Sequence, residues 1–223
     1  MHVFSSLADL SALPGPIALA IGVFDGVHLG HQEVIGVARD FAASHHGTAV
    51  VMTFDPHPMR VLRPEQAPRM LCSTRHQLRI LADLGVTHTL VLPFNDEFAQ
   101  TDAPRFVELL VANCRPLGFI SVGYTWSFGA GRSGNIHMLM DLGQRFGFGV
   151  LGVPEVKLDG QVVSSTLIRE AVRGGDFSKA RRFLGRGYSV LGTVVRGRQL
   201  ARQLGYPTAN LALENEELPP NGV

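Results

Sequence analysis

The chain has 223 residues, of which 45% are hydrophobic and 17% charged, and its formal net charge is +1. That length suffices for one large or two small domains, and the balanced charge excludes a strong field that would steer the protein to nucleic acid or a membrane surface. No apolar run approaches the length of a membrane span, and no basic region precedes the first apolar run, so a signal peptide is not expected. Cys72 and Cys114 form no CxxC motif, which favours a reducing compartment, and we predict a cytoplasmic protein.

The first predicted unit is a strand followed by a helix. Residues 1–16 are predicted to be a short lead-in, and the apolar run at 17–23 fits a buried parallel strand. A glycine-punctuated turn follows, and apolar residues at helical spacing predict a helix to about residue 46, which Gly47 would cap. Such a strand, turn and helix start form an anion site, because free backbone N–H groups and the helix dipole favour negative charge.

Two histidines lie at the start of that helix, in the string HLGH. His28 and His31 are three residues apart, so one helical turn puts them on the same side, where two imidazoles can donate hydrogen bonds to a polyphosphate. Gly22 and Gly30 would let the backbone approach a phosphate closely. Two other interpretations stay open: a pair of surface histidines, and a zinc site, for which no further Cys or His stands at ligand spacing.

A second β-rich run, at residues 48–54, ends in Asp55-Pro56-His57-Pro58, where the prolines force an irregular exit. Strand, helix and strand in this order predict a right-handed βαβ unit and a parallel sheet. Ligands of such sheets bind at the carboxyl ends of the strands, and both the HLGH turn and this segment lie at such ends. On the residues alone, His57 is more simply a loop histidine held between two prolines.

Strands and helices continue to alternate through the middle of the chain, which indicates an α/β fold. Helices are expected at 74–82, 104–114 and 135–146, with a short helical or irregular segment at 94–100. Strands are expected at 87–93, 119–122 and 148–153, and a small hairpin at 156–163.

A glycine-rich loop at residues 123–134 follows one of these strands. It contains Tyr124, Trp126 and Phe128, whose rings could cover an isoalloxazine or adenine ring. Arg132 can pair with a phosphate. As a bare pattern, the segment is more typical of a glycine-rich loop that packs an aromatic side chain.

Three hydroxyl residues, Ser164, Ser165 and Thr166, open a later helix, and Arg169 follows within one turn. Hydroxyls and an arginine at a helix start form a second phosphate cradle, although an ordinary N-cap explains the same hydroxyls. Residues 169–202 hold eight Arg and one Lys against two acidic residues. A solvated face is the usual reason for such an excess, and no nucleic-acid recognition motif accompanies it. Several of these arginines could instead face phosphate-bearing ligands.

The secondary-structure pattern of the sequence changes after a short predicted helix at 176–184 and a glycine hinge at 185–187. Residues 188–195 have β character without a helical partner. The string GYPTANL at 205–211 follows a basic loop and, taken alone, is typical of a turn.

Together and in this order, the strings resemble one protein family. HLGH looks like the HxGH signature of nucleotidylyltransferases, and the longer string GVFDGVHLGH is similar to the prokaryotic bifunctional riboflavin kinase/FMN adenylyltransferases, or FAD synthetases. TFDPHP, the loop at 123–134 and SSTLIR are similar to further motifs of that family. The chain departs from the family's loop pattern at Thr125, where an acidic or amide residue is usual.

This resemblance implies a Rossmann-like nucleotidylyltransferase parallel sheet at residues 1–185, and AMP transfer from ATP to FMN with Mg²⁺, giving FAD and pyrophosphate. It implies that the catalytic residues are His28, His31 and Arg169. It implies that ATP binds against Gly22, Phe24, Asp25, Gly30, Ser164, Ser165 and Thr166. It implies that the flavin binds against Asp55, Pro56, His57, Pro58, Thr125, Trp126, Ser127, Phe128 and Arg132.

The resemblance also makes residues 186–223 the incomplete start of a riboflavin kinase β-barrel. The family's GFPTAN motif implies kinase residues Gly205, Pro207, Thr208 and Asn210, with Thr208 and Asn210 as metal ligands. In the family the remaining strands and the carboxylate base come later, so we expect no phosphorylation of riboflavin by this chain. Residues after about 187 are expected to be mobile, or held by packing on the first domain or on another chain.

The phosphate of FMN is largely anionic at neutral pH and needs no strong base, so catalysis is expected to rest on positioning and charge stabilisation. Three alternatives stay open: another HxGH adenylyl- or cytidylyltransferase with a different acceptor, a nucleotide-binding regulatory protein without turnover, and RNA binding through the Arg-rich stretch. The expected partners are ATP, FMN and riboflavin, with no membrane and no nucleic acid. The sequence gives no oligomeric state.

Overall fold

A computed structural model describes residues 1–196 and 208–221, and its centre is a six-stranded sheet in which every recorded pairing is parallel. This confirms the predicted α/β fold with a parallel sheet. The strands of the sheet are β1 (His2–Phe4), β2 (Ile17–Ile21), β3 (Thr48–Asp55), β4 (His88–Pro93), β5 (Leu117–Gly123) and β6 (Gly149–Val153). Two smaller antiparallel pairs follow: β7 (Lys157–Leu158) with β8 (Gln161–Val162), and β9 (Gly192–Val195) with β10 (Asn210–Leu213).

The helices cover both faces of the sheet, and most begin at a side-chain cap. Ser73, Asp102 and Asn135 each accept a hydrogen bond from a backbone N–H in the first turn of the helix they precede, as such residues do at helix starts. The helices are α1 (Leu29–Ser44), α2 (Pro58–Leu62), α3 (Thr74–Asp83), α4 (Asp96–Ala99), α5 (Ala103–Asn113), α6 (Ile136–Phe146), α7 (Ser165–Arg173) and α8 (Phe177–Leu184).

Strand β2 lies in the middle of the sheet and is buried along its whole length. Its residues alternate between two cores, because successive side chains of a strand point to opposite faces. Ile17, Leu19 and Ile21 belong to the core that includes residues of α5 and α6. Ala18 and Ala20 belong to the core that includes residues of α1 and α3. A strand covered on both faces explains the continuous apolar run in the sequence.

The strand order is β1-β4-β3-β2-β5-β6. From β2 the chain runs outward to β3 and β4 on one side, and later to β5 and β6 on the other. The order therefore reverses between β2 and β5, and ligands of open α/β sheets bind at the carboxyl ends of strands beside such a reversal. The turn that carries the HLGH string follows β2 and so lies at this point.

The predicted lead-in at residues 1–16 is wrong. His2–Phe4 forms an edge strand that pairs with β4, with Phe4 opposite Leu90. A 3₁₀ helix, Leu7–Ala12, follows and buries Leu10 completely in the core. A three-residue strand is too short to show a period of two, and its partner lies far along the chain, so local patterns could not find it.

The predicted cap of α1 at Gly47 is confirmed only in part, because the Gly47 N–H donates to the carbonyl of Ala42 in the last turn at 2.8 Å but the left-handed residue is a different one. Helix α1 ends at Ser44, and His46, with a φ of 52°, takes the left-handed conformation expected of the glycine. Gly47 is required for a different reason, because a Cβ there would overlap the carbonyl oxygen of Pro16. The glycine therefore allows a close approach of two backbone segments.

The C-terminal part packs against the rest of the molecule. The strand predicted at 188–195 is shorter than expected and covers Gly192–Val195, paired with Asn210–Leu213. After it, Asn215 and Glu217 are buried, and Asn215 donates to the carbonyl oxygen of Leu71 at 2.6 Å. Of the three expectations for this part (mobility, packing on the first domain, or packing on another chain), the described residues show packing on the preceding part of the chain. No helix of the described residues is long and apolar enough to span a membrane.

Candidate active site

The turn after β2 is backbone-strained. Phe24, Gly26 and Val27 have φ angles of 53°, 77° and 42°, and a positive φ is costly for a β-branched residue such as Val27. Burial of the Phe24 and Val27 side chains holds this conformation, together with a 2.9 Å hydrogen bond from the Val27 N–H to the Phe24 carbonyl. The strained turn ends at His28, the N-cap of α1.

His28 and His31 form a stacked pair at the start of α1. Their ring centroids lie 3.5 Å apart with an angle of 19° between the planes, which matches the expectation that the two share one side of the helix. The Nδ1 atom of His28 accepts the backbone N–H of His31 at 3.3 Å. The edge of the Phe24 ring faces His31 at a centroid distance of 5.3 Å. The two imidazoles are therefore held by backbone and packing contacts.

Both histidines are held in the neutral form. Burial, followed by the positive charge of Arg186, lowers the pKa of His28 to about 4. Burial also lowers the pKa of His31 well below its usual value of 6.5, with smaller contributions from His28 and Arg186. Because Nδ1 of His28 is an acceptor, its one proton sits on Nε2. Nδ1 of His31 is enclosed and has no hydrogen-bond partner among the described residues.

Gly22 and Gly30 lie close to aromatic rings of this site. A Cβ on Gly22 would come within 2.9 Å of the Phe24 ring, and one on Gly30 would lie 3.3 Å from the His28 ring. Both positions therefore need a small residue for packing within the turn. Their predicted close approach to a phosphate stays a prediction.

Asp25 and Arg169 form a buried ion pair next to the histidines. An Nη2–H of Arg169 donates to the Asp25 carboxylate at 2.5 Å, and the Arg169 Nε–H donates to the carbonyl of Arg69 at 2.7 Å. Asp25 also accepts the backbone N–H groups of Leu71 and Cys72 at 3.0 and 3.3 Å. Burial raises the pKa of Asp25, whereas Arg169 and these N–H groups oppose that rise. Asp25 thus fixes the arginine, and its predicted contact with ATP stays a prediction.

The hydroxyl residues before Arg169 lie where the sequence predicts a helix start. Ser164 is the N-cap of α7, and its Oγ accepts the Leu167 N–H at 3.3 Å. The Ser165 hydroxyl donates to the carbonyl of Asp25 at 2.9 Å, which ties α7 to the turn after β2. Thr166 is exposed. The start of α7 and the start of α1 are therefore joined through Asp25.

The Asp-Pro-His-Pro segment lies at the carboxyl end of β3, the neighbour of β2. Asp55 and Pro56 are exposed, and Pro58 begins helix α2. His57 is its N-cap, and its Nδ1 accepts the Met59 N–H at 3.0 Å. Burial, followed by the charges of Arg169 and Arg60, lowers the pKa of His57 to about 4.

The glycine-rich loop follows β5, on the other side of β2. Thr125 is exposed, and the rings of Trp126 and Phe128 stack at 4.7 Å. Arg132 donates from Nε to the hydroxyl of Ser127 at 2.7 Å. Phe128 extends an aromatic cluster that reaches back to β3, whose other members are Phe106, Phe98, Phe94 and Phe54. The two segments predicted to bind flavin are thus linked by a row of aromatic side chains.

The predicted kinase residues are only partly described. Thr208 and Asn210 are exposed, and Asn210 begins β10, while Gly205 and Pro207 lie outside the described residues. Among residues 1–196 and 208–221, no group of three or more His, Cys, Asp or Glu side chains could hold a metal ion. The predicted metal role of Thr208 and Asn210 stays a prediction.

The sequence did not predict the backbone N–H groups and the arginine that support the histidine turn from segments outside the motifs. The backbone N–H groups of Leu71 and Cys72 hold Asp25, and Arg186 binds the carbonyls of Gly26 and Val27. The contacts that backbone N–H donors make cannot be read from residue types, because every residue except proline carries such a donor. Arg186 was one arginine among eight in a basic stretch, and no local pattern distinguished it.

Comparison with known protein families identifies the family to which this chain belongs. A family model described as FAD synthetase matches residues 11–167, and one described as riboflavin kinase matches residues 184–223. The chain belongs to the FAD synthetase family. The first match contains the HLGH turn, both predicted flavin segments and the serine cap of α7. Arg169 and Arg186 lie outside it.

Two bacterial relatives support this assignment. The bifunctional riboflavin kinase/FMN adenylyltransferase of Escherichia coli strain K12 is 34% identical over 225 residues, covering 100% of this chain and 72% of the relative. The protein of the same name from Haemophilus influenzae is 37% identical over 223 residues, with the same two coverages. A crystal structure described as a macrolide-efflux protein from Streptococcus pneumoniae has a TM-score of 0.81 and 30% identity, and covers 100% of this chain and 73% of that chain.

Proposed function

We propose that this chain transfers the AMP group of ATP to the phosphate of FMN, which yields FAD and pyrophosphate. The observation that carries the proposal is the neutral histidine pair at the start of α1, located where the strand order reverses, in a chain of the FAD synthetase family. The names of the bacterial relatives support FMN as the acceptor. The macrolide-efflux description belongs to the neighbouring structure, and nothing in this site favours it.

The reaction needs little acid–base chemistry. An oxygen of the FMN phosphate attacks the α-phosphorus of ATP, a new P–O bond forms, and the bond between that phosphorus and the oxygen bridging to the β-phosphate breaks. Pyrophosphate leaves with the electron pair. Because the second pKa of such a phosphate is about 6, the attacking oxygen is already deprotonated at neutral pH. The protein therefore has to position two anions and stabilise the charge that develops on the leaving group.

His28 and His31 are suited to that stabilisation. Each neutral imidazole can donate one hydrogen bond, and Nε2–H is the donor left on His28 once Nδ1 accepts the His31 amide. The backbone N–H groups at the start of α1 that have no partner within the helix would face the same ligand. A preorganised donor near a developing charge lowers the barrier without reorganising during the reaction.

The start of α7 and Arg169 would bind the pyrophosphate part, since the Asp25–Arg169 pair brings a guanidinium next to the histidine turn. Arg169 uses its Nε–H on the Arg69 carbonyl and an Nη2–H on Asp25, and it keeps further N–H donors because the guanidinium has five. The aromatic row from Phe128 to Phe54 would border the isoalloxazine ring between the loops after β5 and β3. In this proposal Gly22, Phe24, Gly30 and Thr166 line the ATP side.

Mg²⁺ would enter with ATP. The described residues offer no cluster of metal-binding side chains, and Asp25 is committed to Arg169 and two amides. This fits a Mg²⁺ ion that is coordinated mainly by substrate phosphates, as is usual for this cation. Bound in that way, the ion would supply part of the charge neutralisation of the triphosphate.

Several further points belong to the proposal. We place the adenylyltransferase domain at residues 1–185 and a partial riboflavin kinase domain at 186–223, and we propose a cytoplasmic protein with ATP and FMN as its small-molecule partners. The kinase match of residues 184–223 supports that boundary. Riboflavin binding by the second domain stays a prediction.

The test is a chromatographic assay of the purified chain with Mg²⁺ and ATP and a panel of acceptors. FMN should be converted to FAD, whereas nicotinamide mononucleotide and phosphopantetheine should be recovered unchanged. Conversion of one of these in place of FMN would move the chain to another HxGH transferase activity. ATP binding without conversion of any acceptor would favour a regulatory nucleotide-binding protein.

A further inference from the structure

Arg186 lies in the segment that follows helix α8 and reaches the turn before His28. Its Nη2–H donates to the carbonyl of Gly26 at 2.7 Å, and its Nη1–H donates to the carbonyl of Val27 at 3.1 Å. A third bond, at 3.3 Å, goes to the carbonyl of Leu184. The guanidinium thus binds two successive carbonyls of the strained turn, and no carboxylate is paired with it among the described residues.

The neighbouring contacts keep Arg186 in this place. Gln32 on α1 donates from the same amide nitrogen to the carbonyls of Val27 and Leu184, each at 2.9 Å. Gly185, with a φ of 70°, turns the chain at the end of α8, and a Cβ there would lie 2.8 Å from the Leu29 side chain. The end of α8 is therefore packed against the start of α1, and Arg186 closes that junction.

Binding these carbonyls has a consequence for His28. The peptide unit is planar, so the carbonyl of Val27 and the N–H of His28 point in opposite directions. When Arg186 fixes the Val27 carbonyl, it also fixes the direction of the His28 N–H and of the residue that begins the helix. Val27, with a φ of 42°, would otherwise relax toward a more favourable conformation.

We infer that Arg186 is a positioning residue of the adenylyl-transfer site: by holding the Gly26 and Val27 carbonyls, it keeps the strained turn in the conformation that presents His28 and His31 to the triphosphate. This inference rests on the proposed function. It assigns a role in that site to a residue outside the FAD synthetase match at 11–167 and inside the riboflavin kinase match at 184–223. The second segment would thereby complete the site of the first.

The charge of Arg186 acts on the same pair of rings. The charged or titratable groups that affect His28 are Arg186 and Arg169, and those that affect His31 are His28 and Arg186. A cation near an imidazole disfavours its protonation. Arg186 therefore both holds the turn and helps to keep the two histidines neutral.

The experiment compares Arg186→Met with Arg186→Lys and with Arg181→Met, in which an exposed arginine of α8 is replaced. In Arg186→Met we expect the kcat of FAD formation to fall about 10- to 100-fold, as for a small displacement of reacting groups, with the KM values of FMN and ATP changed less than about twofold. Lysine keeps the charge but cannot bridge two carbonyls with a planar fork, so it should restore kcat only in part. Arg181→Met should match the unmodified chain.

A second readout does not depend on activity. The titration of the His28 ring, followed by NMR of its Cε1–H, should move upward from about 4 toward 6.5 in Arg186→Met and stay unchanged in Arg181→Met. Added guanidinium ion at non-denaturing concentration should partly restore kcat in Arg186→Ala, and sodium chloride of the same ionic strength should not. Rescue by guanidinium is not expected of a residue needed only for folding.

The outcomes separate this inference from the proposed function. If the unmodified chain makes no FAD, the proposed function fails, and the NMR titration still decides whether Arg186 governs the turn. If the unmodified chain is active and a folded Arg186→Met variant keeps its kcat, the inference is overturned, whatever the titration shows. An unchanged His28 titration in Arg186→Met would also overturn it.

Discussion

At the scale of single residues, the proposed chemistry depends on two imidazoles that stay uncharged. Burial is the main cause of the lowered pKa of His28 and of His31, and nearby cations add to it. A neutral imidazole can donate one hydrogen bond to a phosphate, and it costs less to desolvate than an imidazolium. In the proposed reaction, the pair would therefore support the transition state through directed donors more than through net charge.

The first prediction concerns these donors. His31→Ala should lower kcat about 100- to 1000-fold, which corresponds to the loss of about 3–4 kcal/mol from one preorganised donor. The KM of FMN should change little, because the donor acts mainly as charge moves to pyrophosphate. Steady-state kinetics of FAD formation measures both quantities, with His137→Ala, at an exposed position of α6, as the control. Turnover close to normal in a His28→Ala/His31→Ala variant would refute the assignment.

The second prediction concerns the pH dependence of stability. In the unfolded chain His28 has its usual pKa of 6.5, and in the folded chain its pKa is about 4. Between these values the unfolded state binds more protons, so the free energy of unfolding should fall as the pH drops from about 6.5 to 4 and should be fully present above 6.5. The contribution of His28 to this fall is about 3 kcal/mol, because each pKa unit corresponds to about 1.4 kcal/mol.

The comparison uses urea unfolding of the unmodified chain and of His28→Gln at pH 7 and at pH 4.5. Loss of the N-cap shifts the variant's free energy of unfolding at both pH values. The informative quantity is therefore the difference in free energy of unfolding between pH 7 and pH 4.5. That difference should be smaller in His28→Gln than in the unmodified chain, and unchanged in His137→Gln. Equal differences in His28→Gln and the unmodified chain would show that His28 does not titrate as described.

At the scale of secondary-structure elements, the repeating parts were predictable and the irregular ones were not. The apolar run of β2 and the helical spacing in α1 locate both elements, and the helices expected at 74–82, 104–114 and 135–146 correspond to α3, α5 and α6. The edge strand β1 was not predicted because it has only three residues and its partner strand lies far along the chain. The strained turn at Phe24 and Val27 was not predicted because neither residue type favours a positive φ. Burial of the two side chains in the folded protein imposes this conformation.

The third prediction uses a pair of glycines around α1. Gly36 lies inside the helix, and a Cβ there would have no atom within 4 Å, whereas a Cβ on Gly47 would strike the Pro16 carbonyl. Gly36→Ala should therefore stabilise the chain by about 0.5–1 kcal/mol. Gly47→Ala should destabilise it by about 1–3 kcal/mol, as expected of overpacking. Urea unfolding at pH 7 measures both, and a destabilising Gly36→Ala or a neutral Gly47→Ala would contradict the described packing.

At the scale of the whole molecule, the C-terminal part is connected to the site through the segment at 69–73. On one side, this segment binds Asp25 through the Leu71 and Cys72 N–H groups. On the other side, Asn215 donates to the Leu71 carbonyl, and Glu216 accepts the Met70 N–H at 3.0 Å. The motif strings predicted the starts of α1 and α7, which the structure contains. They carry no information about this connection, because it depends on backbone groups and on residues far apart in sequence.

The fourth prediction tests this connection. Asn215→Ala removes the bond to the Leu71 carbonyl and the 2.8 Å bond that Asn215 accepts from the Leu191 N–H. Because partners at a buried site are left without hydrogen bonds, the free energy of unfolding should fall by about 1–3 kcal/mol. Asn221→Ala, at an exposed position, is the matched control. Urea unfolding at pH 7 gives the values, and equal stability of the two variants would mean that Asn215 does not hold the segment at 69–73.

The most direct measurement of the central claim follows the phosphorus of ATP. The chain is incubated with FMN, Mg²⁺ and ATP labelled either at the α- or at the γ-phosphate, and the flavin and phosphate products are separated. We predict that the α-label enters FAD in a one-to-one ratio with FMN consumed, while the γ-label appears only in pyrophosphate. Transfer of the γ-label to a flavin, or release of α-labelled AMP without FAD, would contradict nucleotidyl transfer to FMN.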